Sequence, residues 1–351
     1  MLDKLDHSKD LTEKRKTEHI HISLNEDVEG KNITTGLEEY RFIPNALPEL
    51  SFDEISLSAA FLDKKLRTPF LISSMTGGTE TAYKINRNLA MAAQEKGWTI
   101  GLGSMRAAVE NEDLGYTFQI RKWAPDVPII ANIGAVQLNY DFGIAQCKKA
   151  VEIAEADFLV LHLNTLQEVF QPEGDTNFSN LLSKIEKMAQ SLQVPVGVKE
   201  VGMGIDQETA SRLISAGVQF IDVAGAGGTS WIQVESFRSK NSIRKEAAKA
   251  FLDWGIPTAD SLVAVRRLNK TVPLVASGGL KHGVDAAKSL ALGANLAGFG
   301  RMLLPAAVEN DVEPLLEQME RIEFELRAAM FGIGVGSVEE LAQTKRIVKK
   351  T

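Results

Sequence analysis

Eight short apolar runs, each closing on polar or glycine residues, recur along the chain between Pro69 and Arg301. They read PFLISSM (69–75), TIGLGS (99–104), PIIANIG (128–134), FLVLHLN (158–164), VPVGVKE (194–200), FIDVAGA (220–226), PLVASGG (273–279) and LAGFGR (296–301). Stretches with helical spacing lie between or beside them, at 83–95, 142–155, 177–191, 207–216, 259–268 and 283–292. A strand–helix beat of this kind predicts an α/β fold, a (β/α)8 TIM barrel, with its chemistry gathered at the C-terminal rim of the strands. The polar ends of the runs then converge. Thr76, Ser104, Asn132, His162, Asn164, Lys199, Thr229 and the glycines at 278–279 become parts of one pocket.

The 351 residues accommodate one barrel with extensions at both ends. Residues 1–68 are expected to form an N-terminal arm and a barrel-bottom segment, with 54–67 (EISLSAAFLDKKLR) as a strand pair. Residues 69–351 hold the barrel and the C-terminal helices of 312–345, and the whole reads as one structural domain. The sixth connection, 227–254, is the longest and turns basic (FRSKNSIRK), as a rim lid or binding loop would. A net charge of −7 gives a nucleic-acid surface no overall support. The single cysteine, Cys147, allows no internal disulfide, and its helical context predicts a buried thiol. The N-terminus lacks a signal-peptide core, and no segment approaches the ~20 apolar residues of a membrane span. The expectation is a cytoplasmic protein without a membrane partner.

The run FLVLHLNTLQEVFQPEGD is densest in candidate chemistry. Alternation puts Val160, His162 and Asn164 on one face, with Gln167 and Glu168 just past the rim. A carboxylate beside two amides suits a hard cation such as Mg²⁺, which takes few protein ligands and keeps several waters. The plainer alternative makes Glu168 and Glu173 solvated loop acids. Lys199 shares a face with Gly197 and Pro195, and an inward face aims its ammonium into the mouth, where burial demands an anion. A Schiff-base nucleophile, a partner for an anionic cofactor ring and a salt bridge to a neighbouring strand all remain open. SGGLKHGVDAAKSL and GFGRM follow the last two strands, where barrels often hold a phosphate on backbone N–H groups. GAGGTSW (225–231) extends that cradle through Thr229. Thr76 and Ser104 offer hydroxyls to a heteroaromatic ring edge, and Arg106 is an anion clamp or a helix-facing ion pair. KRKTEH (14–19) is a basic arm for a polyanionic substrate or a solvated charged run.

Together RKTEHI (15–20), SSMTGG, GLGSMR, ANIGA (131–135), HLNTLQEVFQPEGD (162–175), VKEVGMGI (198–205), GAGGTSW and SGGLK resemble type 2 isopentenyl diphosphate isomerase, the flavin-dependent class. The resemblance is collinear from about residue 15 to about residue 345, and HLN-x-x-QE with its PEGD is its most specific part. It implies a TIM barrel with FMN at the rim and interconversion of isopentenyl and dimethylallyl diphosphate in isoprenoid biosynthesis. It also implies NADPH as the reductant of FMN, Mg²⁺ as a second cofactor, and a homo-oligomer, tetramer or octamer. FMN would be held by Ser74, Met75, Thr76, Ser104, Asn132, Lys199 and Thr229, with its phosphate on Gly279, Leu280, Lys281, Gly300 and Arg301. The diphosphate substrate would meet Arg15, Lys16, His19, Ser104, Arg106, His162, Asn164 and Gln167. Gln167, His162 and Asn164 would form the catalytic group, and Glu168 would bind Mg²⁺. Three positions depart from the family pattern: Met105 where glutamine is common, Lys281 where arginine is frequent, and Ala224 in place of a serine or glycine lining the flavin.

The implied reaction adds one proton to an allyl unit and removes another. Protonating an unactivated alkene makes a tertiary carbocation, and no side chain at the mouth is a strong acid. Reduced FMN is therefore the expected acid–base catalyst, with Lys199 beside the reduced ring and Gln167 as an orienting or relay group. The main rival is an FMN-dependent 2-hydroxyacid oxidase or dehydrogenase. It wants a histidine base and paired arginines on the late loops, whereas His282 has no arginine pair. A phosphosugar barrel with Lys199 as a Schiff base predicts a colourless protein, and a catalytically dead scaffold has no need of an intact polar rim.

Overall fold

The structure, a computed structural model, describes the backbone of residues 2–350 and the side chains from Glu13 onward. Eight strands close into a barrel: β1 (Phe70–Ile72), β2 (Thr99–Gly101), β3 (Ile129–Gly134), β4 (Phe158–His162), β5 (Val196–Lys199), β6 (Phe220–Asp222), β7 (Leu274–Ala276) and β8 (Leu296–Phe299). Neighbours are parallel, and β8 closes onto β1 through Ala297 opposite Phe70. Each strand lies inside one of the expected runs. The runs are apolar throughout because both faces are covered. Ile72, Leu161, Val198 and Phe299 face the surrounding helices, while Leu71, Ile130, Val160 and Val275 fill the interior.

The helices that concern the site are α1 (Leu2–Asn25), α2 (Glu80–Lys96), α3 (Ile144–Ala154), α4 (Thr165–Phe170), α5 (Leu181–Ser191), α6 (Gln207–Ser215), α7 (Trp231–Arg238), α8 (Thr258–Leu268), α9 (Gly283–Ala291) and α10 (Glu313–Ile333). All six expected helical stretches are present. The Thr79 hydroxyl caps α2 by accepting from the Ala82 N–H at 3.1 Å, and the Asp206 carboxylate caps α6 by accepting from the Thr209 N–H at 2.9 Å. Cys147 is buried in α3, and burial pushes its thiol up to about 12, which leaves it inert. The long sixth connection is itself helical, holding α7 and a second short helix, Ser242–Ala248.

The barrel bottom is stoppered by the expected strand pair, Ala59–Phe61 against Lys64–Leu66. Phe61 is fully buried and meets Phe158 and Phe220 edge-on, with ring centroids 6.0 and 5.4 Å apart. Gly197 makes this layer possible, since a Cβ there would sit 2.3 Å from the Phe220 ring. Asp157 pins the hairpin by accepting from Lys64 Nζ at 2.9 Å, Arg121 Nη2 at 2.7 Å and the Ile129 N–H at 3.0 Å. Above the phenylalanines the register changes character: Gly134 pairs with His162, His162 with Lys199, and Lys199 with Asp222. These residues stand at one level, so the interior passes from aromatic to polar within one layer.

Candidate active site

Above that level lies a cavity of about 580 Å³. Its volume is that of a typical cofactor or small-ligand site. All the residues named from sequence for the cofactor, substrate and metal line it, from Arg15 on the arm to Arg301 after β8.

The floor is electrostatically tuned. His162 Nδ1 lies 2.8 Å from Asn132 Oδ1. Burial, reinforced by the Lys199 and Lys16 charges, pushes His162 down to about 3, so its imidazole is neutral at working pH. Lys199 is buried and donates to the Glu200 carbonyl. Asp222, one strand over, is buried with its carboxyl raised by desolvation and partly offset by the Lys199 charge, and it accepts from Ser277 Oγ at 2.7 Å. The Glu200 carboxylate accepts from three successive backbone amides, at Val201 (2.6 Å), Gly202 (2.8 Å) and Met203 (2.5 Å). Burial nevertheless pushes it up to about 7. It fixes the turn whose Val201 and Gly202 line the cavity.

One wall is the segment after β4. Asn164 caps α4 rather than continuing the strand, and its Nδ2 donates to Glu168 Oε1 at 2.7 Å. Glu168 Oε2 accepts from the Asp175 N–H at 2.7 Å. Burial raises the Glu168 carboxyl, and those two hydrogen bonds oppose the rise. Glu168 is thus a buried, oriented carboxylate and not a solvated loop acid. Asn164 Oδ1 is buried without a hydrogen-bond partner. Arg106 lines the cavity and is ion-paired to Glu110 at 2.8 Å and Asp175 at 2.5 Å, the ion-pair alternative of its sequence reading.

The opposite wall is the glycine cradle. Gly279 has φ +80°, a left-handed conformation that favours glycine, and a Cβ there would lie 2.4 Å from the Gly227 carbonyl. The loops after β6 and β7 therefore touch backbone to backbone. Thr76 Oγ1 and Ser73 Oγ, both on cavity-lining residues, are buried and unpartnered. Unsatisfied hydroxyls beside a glycine cradle are what a polar heterocycle with a phosphate tail would complete. Of the three departures from the family pattern, Met105 packs fully buried, Ala224 lines the cavity with φ +36°, and Lys281 is ion-paired to Glu29.

The roof is α1. Arg15, Lys16, His19, Ile20 and Ser23 all line the cavity, a stripe one helix face wide. His19 Nε2 pairs with Glu235 Oε1 of α7 at 2.8 Å, and its ring meets Trp231 edge-on at 5.1 Å. Arg238 Nη1 holds Glu235 at 2.5 Å, while its Nε holds Glu18 at 2.9 Å. The sixth connection thus clasps the arm. Burial is the first cause that pushes Lys16 down to about 7, with the Arg15 charge second. Arg15 and Lys16 stand side by side, half-buried over the cavity, with Glu173, Glu168 and Glu235 supporting the Arg15 charge.

Sequence reasoning did not single out Asp222, Glu235, Arg238 or Glu29. Asp222 lies two residues beyond inward-facing Phe220, so strand alternation was signal enough. The other three have no local signature, because their roles arise from contacts across more than 200 residues. His282, the base the oxidase reading requires, caps α9, is half exposed and lies outside the cavity lining.

A family model described as FMN-dependent dehydrogenase matches residues 146–349. Among solved structures, a flavocytochrome b2 mutant with pyruvate bound superposes with a TM-score of 0.69 at 17% identity, over 94% of this chain and 82% of that one. A mandelate oxidase mutant with benzaldehyde gives 0.67 at 18%, over 99% and 98%. Fold and site define an FMN-dependent barrel protein. The isopentenyl-diphosphate delta-isomerase of Oceanobacillus iheyensis is 55% identical over 95% of each chain. The corresponding protein of Nostoc sp. is 49% identical over 94% of each. The chain belongs to the isopentenyl-diphosphate delta-isomerase family, in its FMN-dependent class.

Proposed function

We propose that this protein interconverts isopentenyl and dimethylallyl diphosphate at the cavity between α1 and the barrel rim, for isoprenoid biosynthesis. The observation that carries the reading is the meeting in one cavity of a glycine cradle, the HLN-x-x-QE wall and a basic roof. A 2-hydroxyacid oxidase is disfavoured, because its required base stands outside the cavity.

The residues fit FMN. Ser74, Met75, Thr76, Ser104, Asn132, Lys199 and Thr229 would hold the ring, and Gly279–Lys281 with Gly300–Arg301 the phosphate. Bound and reduced, FMN supplies the proton donor and acceptor that no side chain here provides. The buried Lys199 ammonium would stabilise negative charge on the cofactor side. Neutral His162, fixed by Asn132, would donate or accept a hydrogen bond without bringing a second charge against the substrate cation. Gln167 and Asn164 would orient the C5 unit. Arg15, Lys16, His19 and Arg106 would hold the diphosphate, and α1 would exclude water, strengthening every charge interaction beneath it.

Mg²⁺ fits Glu168, where the unpartnered Asn164 Oδ1 adds an oxygen donor. One carboxylate plus substrate oxygens is an ordinary magnesium arrangement, and among the described residues no cluster of three or more metal-ligating side chains exists. NADPH as reductant and a homo-oligomeric state (tetramer or octamer) rest on the resemblance alone, and cytoplasmic residence on the lone cysteine and the charged N-terminal sequence. Among the described residues no helix is long and apolar enough to cross a membrane. Residues 1–68 and the barrel are taken as one structural domain, since Phe61 and α1 close its two ends.

The test is an anaerobic assay of the purified, reduced protein with isopentenyl diphosphate and Mg²⁺. The dimethylallyl isomer is the expected product. A reduced, FMN-loaded protein that leaves the substrate unchanged would reject the reading.

A further inference from the structure

A carboxylate sits on the two cations that the preceding reading gives to the cofactor phosphate. Glu29 follows α1, and its Oε1 accepts from Arg301 Nη2 at 2.6 Å while its Oε2 accepts from Lys281 Nζ at 3.1 Å. Lys281 comes from the loop after β7 and Arg301 from the loop after β8, so the carboxylate bridges the two halves of the seat. Glu29 lines the same cavity as the glycines beside it.

The segment carrying Glu29 is held by its backbone. Glu29 and Thr229 form an antiparallel bridge, the Ser230 N–H donates to the Val28 carbonyl at 2.8 Å, and the Lys31 N–H donates to the Leu252 carbonyl at 2.7 Å. Val28 is fully buried in a small cluster with Ile22 of α1 and Val234 of α7. The neighbouring acid, Asp27, pairs with Lys31 and accepts from the Glu29 N–H at 3.3 Å, so its own carboxylate supports the turn and does not bridge the two cations. Glu29 is therefore delivered to the cations by the stretch that joins the roof helix to the sixth connection.

Two anions cannot share these cations without repelling each other. We propose that Glu29 is a built-in anion that competes with the FMN phosphate for Lys281 and Arg301, so that the phosphate must displace it. The residue would set the affinity for phosphorylated flavin and tie cofactor loading to the junction between α1 and the mouth. The proposal rests on the phosphate placement given above.

The test compares the full-length wild type with Glu29→Gln, measuring FMN and riboflavin affinities by flavin fluorescence at fixed ionic strength. Circular dichroism melting confirms the fold. Losing a competing charge pair of ordinary strength predicts FMN binding about fivefold tighter in the variant. Riboflavin, which has no phosphate, should behave alike in both proteins. FMN affinity unchanged or weaker in Glu29→Gln overturns the proposal, as does tightening that riboflavin shares. Should the wild type bind FMN no better than riboflavin, the phosphate placement itself is wrong and the proposal falls with it.

Discussion

Lys16 offers the sharpest consequence of the roof. Its ammonium is pushed down to about 7, by burial first and by the Arg15 guanidinium second. A diphosphate arriving beneath it would restore the proton, because a dianionic group favours the charged form. At pH 7 about half of the empty sites would carry a neutral Lys16, so binding should take up about half a proton there. The sign follows from the lowered value: the ammonium form is lost as the pH rises through about 7. Each further pH unit costs about 1.4 kcal/mol of binding, a tenfold rise in KM, until the pKa of the complex is reached. The assay is kcat/KM for the reduced protein from neutral to mildly alkaline pH, with Lys16→Met beside it. The variant should bind more weakly at neutral pH and lose the slope. A flat wild-type profile above neutrality, or the same slope in Lys16→Met, would refute the reasoning.

Three other outcomes follow from the geometry. Phe61→Ala removes the ring between Phe158 and Phe220 and should cost about 3–5 kcal/mol in denaturant unfolding while flavin retention, at the other end of the barrel, survives; a loss under about 1 kcal/mol would mean the hairpin is no plug. Glu168→Gln should weaken Mg²⁺-dependent turnover and leave FMN bound, and an unchanged Mg²⁺ response rejects that assignment. His162 remains neutral in the fold down to about 3, whereas in the unfolded chain it takes a proton near its ordinary pKa of about 6.5. Unfolding therefore takes up a proton below about 6.5, and stability falls as the pH drops from there toward 3. His162→Gln should show a shallower fall of melting temperature on acidification, and identical slopes would count against a buried neutral imidazole.

The barrel was legible because its signal is local. Eight apolar runs with polar ends need no long-range information, and alternation within FLVLHLN and VPVGVKE placed His162 and Lys199 inward. Asn164 shows where alternation stops: β4 ends at His162, and the next turn of chain becomes the α4 cap. The basic stretch at 14–19 left two forms open, a polyanion-binding arm and a solvated one, because a run of good helix formers reads equally as either. Its docking is specified by partners far along the chain, Glu235 and Arg238 on α7, whose own neighbourhood looks like an ordinary amphipathic turn. Glu29 is still less visible, an acid in a polar loop whose significance depends on Lys281 and Arg301 folding to meet it.

The central claim is that a flavin-loaded rim performs a proton shift with no net redox change. The direct measurement is to reduce the FMN-loaded protein once, remove the reductant anaerobically, and follow isomer formation together with the oxidised-flavin absorbance. Many dimethylallyl molecules per flavin, with no return of the oxidised band, is the predicted result. Turnover that stops after one product per flavin, or that proceeds only as the oxidised band reappears, would contradict it.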